Sequence, residues 1–163
     1  MQTNITSFFK NNKLNTVAPI LSNKTNKIQK QNLNDNFVLY FDGCSKKNPG
    51  PSGAGAVIYN NDIEIWKRSL FVGKKSTNNV AEYTGMIIGI EHAKQLGIKK
   101  LTIKGDSNLV IQQMNGKFNV TAPHILKLYN QARSILSYFD SVSFIHVYRH
   151  FNQRADELAN LAL

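Results

Sequence analysis

Four carboxylates stand where chemistry could use them: Asp42, Glu82, Asp106 and Asp156. Asp42 follows the apolar run Phe37-Val38-Leu39-Tyr40-Phe41, and Asp106 follows the run Leu101-Thr102-Ile103-Lys104. Glu82 falls early in a long helical pattern, and Asp156 in the first turn or so of the last one. Taken singly, each has an ordinary explanation, as a turn former or as a favourable partner for a helix dipole. Taken together, two strand ends aim carboxylates at one edge of a sheet, and two helix starts can meet them there. Such a cluster repels itself unless it is protonated or neutralised by cations. Oxygen-only donors select hard divalent ions, Mg²⁺ or Mn²⁺, over zinc. Two such ions a few ångströms apart make a phosphodiester-cleaving site.

The rest of the composition agrees with a polyanionic partner. Lys and Arg total 20 against 10 Asp and Glu, a formal charge of +10, although charge alone does not distinguish nucleic acid from a membrane surface. No stretch approaches the length of a membrane span, so nothing is expected to cross a bilayer, and nucleic acid rather than a membrane is the expected partner. A single cysteine, Cys44, excludes an internal disulfide framework and a Cys-rich zinc site. None of the four histidines has metal-ligand spacing. One domain with a tail is expected from 163 residues, and the chain is expected to act as a monomer.

The elements that must position the carboxylates begin at Phe37. The Phe37–Phe41 run has the length and continuity of a central strand covered on both faces. Residues 53–59 and 63–71 read as two more strands, joined by the turn residues Asn60, Asn61 and Asp62. From Asn78 to Leu96 the period becomes helical, with Val80, Tyr83, Ile87, Ile90 and Ala93 on one face and Gly97 placed to end it. Gly85 and Gly89, one turn apart, mark a close approach to the sheet. Residues 101–104 form the fourth strand and 107–114 a short helix. Pro123 opens a helix whose apolar face runs from Ile125 to Phe139. Residues 142–148 form the last strand, with His146 expected in the core, and Asn152 caps the final helix. The order β-β-β-α-β-α-α-β-α describes an α/β domain on a mixed sheet.

Residues 42–55 (DGCSKKNPGPSGAG), 77–83 (TNNVAEY), 105–110 (GDSNLV) and 149–160 (RHFNQRADELAN) resemble, in this order, the motifs of the ribonuclease H type 1 family, closest to its compact archaeal and plant-like branch. The resemblance covers 37–163. It implies the ribonuclease H-like fold, a five-stranded mixed sheet flanked by helices. It also implies cleavage of the RNA strand of RNA–DNA hybrids, with Asp42, Glu82, Asp106 and Asp156 as catalytic ligands of two Mg²⁺ ions, Mn²⁺ being an alternative. Asn48 and Asn79 match positions that contact ribose 2′-hydroxyls and base edges. An amide suits that work because it both donates and accepts. Thr77 and Asn78 match a turn that helps hold a DNA-strand phosphate, and Lys46 and Lys47 are candidate phosphate contacts. Many members carry a histidine on a flexible loop before the last Asp that aids product departure. Here that segment is short, the compact branch often has another residue at that point, and His150, only six residues before Asp156, either shuttles a proton or is a surface residue. The long basic protrusion of some members is absent. The alternative reading is a nuclease-inactive hybrid-binding module, which would gain nothing from clustered like charges.

Residues 1–36 hold nine Asn and five Lys against one acid, Asp35, and read as a disordered tail. Its start, Gln2-Thr3-Asn4-Ile5-Thr6-Ser7-Phe8-Phe9, is similar to the peptide box that docks on the sliding clamp of the proliferating cell nuclear antigen (PCNA) type. One helical turn would gather Ile5, Phe8 and Phe9 into an apolar plug, with Gln2 at the rim. The remainder would then be a tether. The location expected from this is a replication site, nuclear or cytoplasmic, including a viral factory, and not the secretory route.

Overall fold

The computed structural model describes residues 32–163. The strands are β1 (Phe37–Ser45), β2 (Gly50–Asn60), β3 (Ile63–Ser76), β4 (Lys100–Gly105) and β5 (Ser141–His146). The helices are α1 (Asn78–Gln95), α2 (Asn108–Met114), α3 (Pro123–Leu136) and α4 (Gln153–Leu161), with a 3₁₀ turn at Arg149–Phe151. The sheet order is β3-β2-β1-β4-β5. β1, β2 and β3 pair antiparallel, while β4 runs parallel to both β1 and β5. The five-stranded mixed sheet expected from the sequence is therefore present.

β1 is central, which explains its apolar run. Leu39 and Phe41 point into the main core with Ile58, Tyr83, Met86, Ile90 and Ile103, all fully buried. The alternate residues Tyr40 and Val57 meet Ala155 and Leu158 of α4 in a smaller cluster, as the two-residue period of a strand requires. Thr77 caps α1 by accepting from the Val80 N–H at 3.3 Å. At its other end Gly97 takes φ 78°, and the N–H groups of Gly97 and Ile98 return to the carbonyls of Lys94 and Ala93.

Several boundaries differ from the sequence expectation. Asp42 lies inside β1, not after it: the ladder continues from Asp42↔Gly55 to Ser45↔Ser52. β2 begins at Gly50 and not at Gly53, so the two strands pair further toward their hairpin than expected, and Gly53 and Gly55 let α4 lie against β2. β3 likewise extends to Ser76, whose carbonyl accepts from Ser45 and Ser52. α3 stops at Leu136, leaving Phe139 buried beyond it. β5 stops at His146, which is exposed and not a core residue; its Nε2 lies 3.2 Å from the Asp106 carbonyl oxygen.

The contact that matters most for the site is between α1 and β1. A side chain on Gly43 would run into the backbone of Ala81 and Glu82. A Cβ on Gly85 would sit 2.7 Å from the Asp42 carbonyl oxygen and 2.9 Å from that of Gly55. Gly85→Ala should therefore lower stability by about 1–3 kcal/mol, despite Ala favouring a helix by about 1 kcal/mol. Urea unfolding measures this, and an unchanged or raised midpoint would show that the approach tolerates a methyl group.

Candidate functional site

The hairpin end of β1, the first turn of α1, the end of β4 and the first turn of α4 meet at one cleft. It is lined by Asp42, Glu82, Asp106 and Asp156 together with Cys44, Asn78 and Arg149. Single carboxylate oxygens of Asp42, Glu82 and Asp106 all lie within 4.8 Å of one another. Asp42 and Glu82 are only 5% and 4% exposed. Burying two carboxylates beside a third is unfavourable for the charged forms. Burial first, then the charges of Asp106 and Asp156, push the Asp42 carboxyl up to about 8. Burial, then Asp42 and Asp106, hold Glu82 well above the usual carboxylate range.

The hydrogen bonds leave room for a cation. Asn78 Nδ2 donates to Glu82 Oε1 at 3.4 Å, whereas Glu82 Oε2 is buried without a partner. An orphaned buried carboxylate oxygen beside two other carboxylates fits a hard divalent ion that takes oxygen ligands. Burial also pushes the Cys44 thiol up, so the one sulfur in the cleft is a neutral thiol and not a soft thiolate ligand.

Asp156 belongs to the cleft but not to the tight trio. Its Oδ1 accepts from Arg149 Nη2 at 2.8 Å in a half-exposed ion pair. Two of its neighbours do work that the sequence does not announce. Arg149 neutralises Asp156. Asn152 occupies the N-cap position of α4, yet its side chain makes no capping bond. Its Nδ2 donates instead to the Phe41 carbonyl at 2.9 Å and to Asp106 Oδ1 at 3.0 Å. Asn152 is 1% exposed, so this amide ties β1, β4 and α4 together at the trio. Its residue type and position signal a cap; only the fold reveals the partner.

The remaining expected residues surround the cleft. Asn48 Oδ1 accepts from the Asn78 backbone N–H at 3.0 Å, which leaves its Nδ2 for an external acceptor. Asn79, Lys46 and Lys47 are exposed, and the Thr77 hydroxyl is engaged as the α1 cap. His150 is exposed and lines an adjoining concavity with Tyr148, Arg149, Gln153 and Asp156. Gln2, Ile5, Phe8 and Phe9 lie outside the described residues. No helix among the described residues is long and apolar enough to cross a membrane.

Comparison with known proteins places this geometry in a family. Residues 40–162 match the family model described as reverse transcriptase-like. The bifunctional protein Rv2228c of Mycobacterium tuberculosis is 42% identical over 127 residues, 77% of this chain and 35% of its own length. The ribonuclease HI of Halobacterium salinarum is 40% identical over 124 residues, 76% of this chain and 62% of its own. The chain thus spans between about a third and under two thirds of these relatives. Among solved structures, LC11-RNase H1 in complex with an RNA/DNA hybrid superposes with TM-score 0.74 at 32% identity, covering 78% of this chain and 96% of that one. With the sheet order, the converging carboxylates and these matches in agreement, the chain belongs to the reverse transcriptase-like family and carries a ribonuclease H domain of type 1.

Proposed function

We propose that this chain is a metal-dependent endoribonuclease that hydrolyses the RNA strand of RNA–DNA hybrids, leaving a 3′-hydroxyl and a 5′-phosphate. One observation carries the reading: three carboxylates converge with single oxygens within 4.8 Å of one another, and one of them, Glu82, has a buried oxygen without a hydrogen-bond partner. A module that only bound hybrid would be destabilised by this cluster without using it. The hybrid-bound structure of a relative supports the substrate class.

In this reading Asp42, Glu82, Asp106 and Asp156 hold two Mg²⁺ ions, or Mn²⁺. Bound divalent cations would supply Lewis acidity to the phosphodiester and lower the pKa of an attacking water. The chain's own residues do the rest. Gly43 and Gly85 let Glu82 reach Asp42. The Asn152 amide fixes the orientation of Asp106, and Arg149 balances Asp156 when the cleft is otherwise uncompensated. Asn48 and Asn79 present amides to 2′-hydroxyls, which distinguish RNA from DNA. Thr77 and Asn78 hold the turn that meets a DNA-strand phosphate, and Lys46 and Lys47 add salt-sensitive phosphate contacts. His150, the imidazole in the concavity shared with Asp156, carries a proton to or from solvent. Residues 2–9 bring the enzyme to a PCNA-type clamp through residues 1–36 as a tether; the support for this is the Gln-x-x-Ile-x-x-Phe-Phe spacing.

Asp42→Asn should abolish Mg²⁺-dependent hybrid cleavage and, at the same time, stabilise the metal-free fold. The sign follows from linkage. A carboxyl raised from 3.8 to about 8 on folding contributes stability that is full below 3.8 and lost as pH rises through about 8. At pH 8 in chelator the variant should therefore be more stable by about 1–3 kcal/mol, with little difference near pH 4. Thermal melts at the two pH values check this. Retained cleavage would contradict the site, and equal melts would contradict the buried electrostatics. His150→Gln should lower turnover several-fold with KM unchanged; an unchanged turnover would place His150 at the surface only. Phe8→Ala with Phe9→Ala should lose clamp binding in a pull-down with purified clamp while free hybrid is cut at the same rate. Undiminished binding would remove the clamp reading.

A further inference from the structure

A strip of exposed rings leads away from the cleft. The N–H of Val147 makes a final bond along β5 to the Gly105 carbonyl at 3.0 Å. The chain then turns, with Phe151 N–H donating to Tyr148 O at 2.8 Å and Asn152 N–H to Arg149 O at 2.9 Å. The rings of this turn follow one another: His146 to Tyr148 at 5.9 Å, Tyr148 to His150 at 6.0 Å with planes only 5° apart, and His150 to Phe151 at 3.9 Å. Tyr148 is 70% and Phe151 64% exposed. Single exposed aromatics are ordinary, but a contiguous row of four rings marks an interaction surface.

The strip is rigid at both ends. β5 holds one end, and the buried Asn152, bonded to Phe41 and Asp106, holds the other. It is also continuous with the cleft, since Arg149 and Asp156 line both the carboxylate cleft and the concavity walled by Tyr148 and His150. On its far side Phe151 walls a second concavity of about 280 Å³ with Tyr40 and Tyr59.

We propose that this strip binds the unpaired nucleotides that flank a hybrid, by stacking their bases on Tyr148 and Phe151. The proposal rests on the hydrolase reading for its setting, because the strip begins at the site where the hybrid would be cut. Charge favours this occupant: the chain carries +10, and Arg149, 78% exposed although paired with Asp156, stands in the row. The rings themselves select single strands. In a duplex each base already stacks on its neighbours and presents only its edge, whereas an unpaired base has a free π-face for an aromatic ring. The strip would then favour substrates with a single-stranded extension, such as the junction between a hybrid and unpaired template.

The test measures binding of the full chain in chelator, by fluorescence anisotropy, to a blunt hybrid and to the same hybrid extended on the RNA strand or on the DNA strand. Extension should tighten binding by roughly tenfold. Tyr148→Ser with Phe151→Ser should remove that gain while leaving the affinity for blunt hybrid within about twofold, and Tyr148→Phe should keep it. Both positions are exposed, so the core is left intact. Equal affinity of the wild type for blunt and extended hybrid would overturn the proposal. So would a gain that survives the double substitution, or a double variant that weakens blunt and extended hybrid alike. A single-stranded oligonucleotide alone provides the separating arm: its loss of binding in the double variant supports the strip even if no hybrid were cut.

Discussion

The site depends on an unfavourable interaction. Asp42, Glu82 and Asp106 are forced together in a cleft where burial and the neighbouring negative charges make Asp42 and Glu82 hard to ionise. What forces them is packing. Fully buried side chains from β1, β2, β4 and α1 make a core that fixes α1 on the sheet, and two glycines bring the backbones close enough for Glu82 to stand over Gly43. The apolar burial in that core, at roughly 1.5–3 kcal/mol per large side chain, outweighs the repulsion it maintains. The strained electrostatics and the capacity to hold cations are thus the same property seen without and with a counter-charge.

Neutralisation is divided unequally among the four acids. The side-chain hydrogen bonds to the tight trio come from neutral amides, Asn78 on Glu82 and Asn152 on Asp106. The more exposed Asp156 has a full positive charge in Arg149. An ion pair at a half-exposed position is worth little to stability, so its significance lies in the charge balance of the site.

Much of this was legible in the sequence, and the failures have physical causes. The order of elements follows from period and punctuation, and the four acids were marked by their places at strand and helix ends. The strand ends at Asp42–Ser45 and Gly50–Ser52 were missed because Gly, Pro and Ser serve equally for a turn and for a paired strand, and the pairing from Asp42↔Gly55 to Ser45↔Ser52 is visible only in the fold. His146 was expected in the core because alternation along β5 does not say that the edge strand outruns its helical cover. The work of Asn152 was hidden for a deeper reason. Its local signal, a capping residue before a helix, was correct in position, but its hydrogen bonds go to groups 46 and 111 residues away.

That long reach makes the site depend on the final helix. The bond from Asn152 joins the final helix to the first strand across almost the whole domain, and it does so at the carboxylate of Asp106. Without α4 and the turn before it, the core of β1, β2, β4 and α1 would keep its own contacts, but Asp106 would lose the amide that holds it and the cleft would lose Asp156. The geometry of the cleft is therefore a property of the whole domain, not of the sheet that carries most of its residues.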